Sequence, residues 1–152
     1  MPNMNNSVFL VFQNKVFLAT LFGWVTAQTI KIVINSVKER KFNFRWVVST
    51  GGMPSAHSSG VMALATAVGI QQGFGSAIFI VTFVFAVVIA FDAQGVRRST
   101  GQQAEILNKI MDDIYWRRKI QEDRLKELIG HTPFEVFVGS LIGIIIAALV
   151  MR

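Results

Sequence analysis

Four long apolar runs constrain this 152-residue chain more than any other feature. The first extends from about Val16 to Val37, with Val8 to Phe12 (VFLVF) as an interfacial lead-in. The second, Ser58 to Ile70, reaches the ~20 residues of a membrane span only when counted from Pro54 to Gly73. The third covers Ala77 to Phe91 and the fourth Phe134 to Met151. The composition agrees: 52% hydrophobic and 16% charged, with mean hydropathy +0.48, against about 25% charged in soluble domains. The expectation is an all-α polytopic bundle of about four spans, a single membrane-embedded domain over residues 1–152. A polar, amphipathic helical insertion at about 92–133 would separate the third span from the fourth.

The runs differ in character. The second is rich in Ala, Gly, Ser and Thr, which permit close helix approach, and this places it at the centre of the bundle. The third is bulky and β-branched, as a lipid-facing helix tends to be. The fourth spaces Gly139, Gly143 and Ala147 as a packing face of small residues, also available for homodimerisation. Gln28 and Lys31 lie inside the first run, where contact with lipid would be costly, so they should face other helices or snorkel. In the insertion, Ala104, Leu107, Met111 and Ile114 recur at helical spacing.

Charge sets the expected topology. Lys38, Arg40, Lys41 and Arg45 follow the first span, and eight basic residues balance eight acidic ones between Asp92 and Glu135. The opposite side has only Lys15, Arg152 and an uncharged turn. The positive-inside rule then directs both polar loops to the cytoplasm of an inner or plasma membrane. The net charge of +6 is thereby explained by topology, and no nucleic-acid partner is expected. MPNMNNS has no basic residue ahead of the apolar stretch, so no cleavable signal peptide is expected. The absence of cysteine excludes a disulfide scaffold, thiol catalysis and thiolate metal sites.

Three clusters on the polar-loop side could carry chemistry. Ser49 to Ser59 (STGGMPSAHSS) is a glycine loop entering a helix, whose N–H groups can face an anion, with His57 a turn inside. An ordinary Ser-capped, Pro-started helix explains the same residues. In the second cluster, Arg97 and Arg98 suit a doubly charged phosphate, or mark the end of a span with Asp92 as counter-ion. In the third, Thr132-x-x-Glu135 reads as a capping box with Pro133 at the first helical position, which leaves His131 without a structural explanation. Both histidines of the chain thus enter apolar helices from the same side. Together the clusters fit a phosphoryl transfer without metal or other cofactor. One histidine would attack phosphorus, a carboxylate would orient it, the other would protonate the leaving oxygen, and cations would hold the phosphoryl group. No recognisable metal-ligand spacing is present.

The segments SVKERKFNFRW, STGGMPSAHSSGVMALATAVG, FDAQGVRRSTGQQAEILN and ELIGHTPFEVFVGSLIG resemble the divergent bacterial and plastid branch of the type 2 phosphatidic acid phosphatase superfamily. That superfamily is related to the vanadium-dependent haloperoxidases. Lys38-x6-Arg45 matches its first signature in spacing, with Trp46 replacing the proline and a neighbouring Lys or Arg as the alternative counterpart. Pro54-Ser55-Ala56-His57 matches the second, with alanine for glycine. The third is split: Arg97 or Arg98 supplies its arginine, and His131-x3-Glu135 the remainder, with glutamate for aspartate. Arg98 and His131 are 33 positions apart, whereas the superfamily pattern has about six.

The resemblance implies that His131 is the nucleophile of a phosphohistidine intermediate, Glu135 its orienting carboxylate and His57 the general acid. It also implies a phosphate site drawn from Lys38, Arg45, Gly52, Ser55, Arg97 and Arg98. The expected function is hydrolysis of a lipid phosphomonoester or pyrophosphate at the cytoplasmic face. The alternative is a non-catalytic membrane protein that binds anionic phospholipid head groups. A haloperoxidase ranks third.

Overall fold

The computed structural model describes residues 4–41, 52–94, 103–108, 110–111 and 131–152. Every regular element among them is a helix: α1 Met4–Gln13, α2 Lys15–Glu39, α3 Ala56–Gln72, α4 Ala77–Gln94 and α5 Pro133–Val150. Residues 103–108 are also helical, and Ala104 and Asn108, one turn apart on that stretch, are buried. Ile114 lies outside the described residues.

The helix ends follow local chemistry. Asn14 separates α1 from α2 and caps the latter, its side chain accepting from the N–H groups of Val16 and Phe17 at 2.9 and 3.4 Å. Ser55 caps α3, its hydroxyl accepting from Ser58 N–H at 3.3 Å. Pro54 therefore stands before the cap, not in the first turn of the helix as the sequence suggested. Thr132 and Glu135 form the expected capping box, with Pro133 in the first turn of α5.

Among the described residues three helices, α2, α4 and α5, are long and apolar enough to cross a membrane. With α3 beginning at Ala56, its 17 residues extend about 25 Å at 1.5 Å per residue, short of the ~30 Å hydrocarbon core. The second of the four expected spans is thus shortened by its own cap.

As expected, α3 occupies the centre, packed against α2, α4 and α5, while α2 also packs on α5. The close approach depends on residues without bulk. A methyl group on Gly143 would collide with the Ser59 carbonyl, and one on Gly139 with that of Ser55. On the other side, a Cβ on Gly23 would stand 2.8 Å from that of Ala63, and Ser59 donates its hydroxyl proton to the Gly23 carbonyl at 2.7 Å. Ala19, Ala63, Ala67 and Ala147 complete this seam, all fully buried. The small face of α5 is therefore filled by α3 of the same chain, and is not available as the dimer contact that its spacing allowed.

By contrast α4 hardly touches α5, makes no contact with α2, and buries fully only Ala86 and Ala93. Ile80, Val81, Val84, Phe85, Val88 and Phe91 are exposed. No aqueous surface is built this way, and the lipid-facing assignment of this helix follows.

Candidate functional site

The glycine-containing seam and two backbone bonds place the chemistry-bearing residues at one level of the bundle. Ser55 N–H donates to the Glu135 carbonyl at 3.1 Å, joining the start of α3 to the first turn of α5. His131 N–H donates to the Ala93 carbonyl at 3.0 Å, joining the residue before the α5 cap to the last turn of α4. Asp92, half-buried, adjoins that carbonyl in the chain. The histidines, 74 positions apart in the sequence, consequently face each other with ring centroids 6.4 Å apart and planes at 57°.

His131 is 1% exposed. Its Nδ1 lies 3.3 Å from Glu135 Oε2, and Thr132 N–H donates to that same oxygen at 2.9 Å. The sequence left open whether Glu135 serves the cap or the histidine. It touches both. This also rationalises glutamate in place of the superfamily's aspartate: the residue four after the histidine is the third residue of α5, where a capping box requires the longer side chain to reach back to the cap N–H. A proton on Nδ1 directed at the carboxylate would leave the lone pair on Nε2.

Lys31 is the residue that motif spacing missed. It is 1% exposed, among the largest fully buried side chains of the described residues. Its stem lies against the loop before α3, Cγ and Cδ each 3.8 Å from where a Gly52 side chain would begin. Gly52 takes φ +91° there, a left-handed conformation suited to glycine. The sequence signal was the cost of a lysine inside an apolar run. Of the two outcomes that cost left open, facing other helices or snorkelling, Lys31 takes the first, whereas the spacing to Arg45 selected Lys38, which is exposed in the last turn of α2. Gln28, also buried, lies one turn deeper than Lys31 on the same face.

Ser55 is fully buried; its hydroxyl accepts from Ser58 N–H at 3.3 Å and from the Ser58 hydroxyl at 3.0 Å. Arg45, Arg97 and Arg98 lie outside the described residues. Among the described residues no group of three or more His, Cys, Asp or Glu is arranged to hold a metal ion. The arrangement is thus two imidazoles, a carboxylate and a buried lysine around a glycine loop, at the end of a helical bundle.

Apolar helices of membrane length packed around a short central helix define a multi-pass α-helical membrane protein. The family profile described as "Divergent PAP2 family" matches residues 12–146. The chain belongs to that family. It is similar to the uncharacterized membrane protein YuiD of Bacillus subtilis (strain 168), 42% identical over 140 residues that cover 85% of this chain and 89% of the relative. No solved structure matches it.

Proposed function

We propose that the protein hydrolyses a phosphomonoester or pyrophosphate carried on a membrane lipid, through a phosphohistidine formed on His131. The observation that carries this reading is the 6.4 Å pairing of His57 with His131, with a carboxylate oxygen 3.3 Å from Nδ1 of His131.

The His131 Nε2 lone pair forms the N–P bond as the bond from phosphorus to the lipid oxygen breaks. Protonated His57 gives its proton to that departing oxygen. Glu135 holds the attacking ring and stabilises the cationic imidazole formed during attack. His57, now neutral, takes a proton from water as the water oxygen attacks phosphorus, releasing inorganic phosphate and restoring both histidines. Lys31 neutralises charge on the phosphoryl oxygens, and the backbone at Gly52 and Ser55 lines the loop in which they rest. Arg45 with Arg97 or Arg98 supplies further cations, and exposed Lys38 guides the anion towards the site.

A bilayer-embedded bundle suits a substrate whose tail remains in lipid while its head reaches the histidines. The basic loops direct the site to the cytoplasm, and a tag after Arg152 should accordingly be found on the opposite side. The test is phosphate release in detergent micelles without added metal, from phosphatidic acid, phosphatidylglycerophosphate and an isoprenoid pyrophosphate. Release abolished by both His57→Ala and His131→Ala supports the two-histidine mechanism.

The 33-position separation of Arg98 from His131 favours a second reading, a site that binds anionic head groups without turnover. Folded protein that binds these lipids, releases no phosphate, and binds equally well after His131→Ala would establish it.

A further inference from the structure

We propose that Thr132 is a positioning residue for His131, and that the α5 capping box doubles as the device that orients the nucleophile. This rests on the reading of His131 as the attacking group. The observation is a shared acceptor. Glu135 Oε2 takes the Thr132 N–H at 2.9 Å and lies 3.3 Å from His131 Nδ1. The Thr132 hydroxyl in return accepts Glu135 N–H at 3.3 Å.

A glutamate side chain has three rotatable bonds, and free of other contacts it would sample many carboxylate positions, few of them opposite Nδ1. The reciprocal cap removes that freedom. The hydroxyl fixes the first turn of α5, and the N–H fixes one carboxylate oxygen. The adjoining backbone is held as well, by His131 N–H on the Ala93 carbonyl and Ser55 N–H on the Glu135 carbonyl. The imidazole is left with one favourable proton arrangement, Nδ1–H towards Glu135 and the lone pair on Nε2. Preorganisation of this kind acts on turnover more than on binding, because the Thr132 hydroxyl bonds the N–H of Glu135 and no group assigned to the phosphate site.

The experiment compares Thr132→Val, which keeps shape but loses the hydroxyl, with Thr132→Ser, which keeps the hydroxyl, and with Thr132→Ala in case valine impairs folding. Two readouts are taken on full-length protein in micelles. They are phosphate release from phosphatidic acid and the tautomer of His131 by 15N NMR of histidine-labelled protein. In the native protein and in Thr132→Ser the neutral His131 should be uniformly protonated on Nδ1. In Thr132→Val or Thr132→Ala the two tautomers should mix, and kcat should fall by up to about 10²-fold, the cost of a slightly misplaced reacting group, with KM unchanged. A lower melting temperature with native tautomer and native kcat would overturn the proposal and leave Thr132 a structural cap. Should the native protein release no phosphate, the phosphatase reading fails, while the tautomer comparison still decides whether the cap orients His131.

Discussion

Two regions of this bundle share a composition dominated by apolar residues and behave in opposite ways. The seam between α2, α3 and α5 consists of Ala, Gly and Ser, with Lys31, His131 and Glu135 at its end. Helix α4 is the bulkier element, yet it packs chiefly on α3 and buries fully only Ala86 and Ala93. In water the large side chains would be inside. In a bilayer lipid solvates them as well as protein does, so helices associate where small residues let backbones approach and polar groups find partners. The seam is where the protein excludes lipid, and so it is where a buried lysine and a buried histidine can persist.

That contrast can be broken most severely at the histidines. Under the proposed mechanism His131→Ala removes turnover altogether and His57→Ala lowers it about 10²–10⁴-fold, both readable as phosphate release; either variant with native turnover would refute the assignment. Next comes Lys31→Met, which should cut turnover by about 10²–10³, the usual loss when a group that stabilises developing charge is removed. Lys38→Met, at an exposed position, should cost less than about tenfold in the same assay, and the reverse ranking would restore the spacing-based choice.

Smaller effects sharpen the comparison. Gly143→Leu drives a side chain into the Ser59 carbonyl and should destabilise the bundle by about 1–3 kcal/mol or more, measured by thermal unfolding in detergent. Glu135→Gln retains the capping box but removes the negative charge, so turnover should drop while melting barely moves; a parallel loss of both would reduce Glu135 to its structural role. Least of all, Val84→Leu on the lipid face of α4 should remain within about 0.5 kcal/mol of the native protein with unaltered turnover. A large effect there would mean that α4 faces protein and not lipid.

Much of this was legible before the structure. The runs that became α2, α4 and α5 were visible because a membrane helix is long and uniform. The central position of α3 could be read from its small residues, and the cap of α5 from Thr132, Pro133 and Glu135. The extent of α3 was not legible, since Pro54 can start a helix or precede its cap, and only the Ser55 contacts decide. Nor was the use of Gly139 and Gly143, because a stripe of small residues fits a neighbouring helix of the same chain as well as one of a second copy. At the site, the sequence left Lys31 either facing other helices or snorkelling, and signature spacing pointed to Lys38 instead, since spacing compares positions along the chain whereas the site is assembled across helices.

The sequence by itself determined that the chain is a helical membrane protein, that its histidines stand at one end of the bundle, and that Thr132 and Glu135 cap the last helix. These are consequences of local composition and short-range spacing, which hold before any helix meets another. The tertiary structure decided which cation is buried beside the glycine loop, which helix fills the small face of α5, and that one carboxylate oxygen serves both a helix cap and a histidine. Each of those depends on backbones approaching closely across positions far apart in the chain, and a linear pattern contains no measure of that distance.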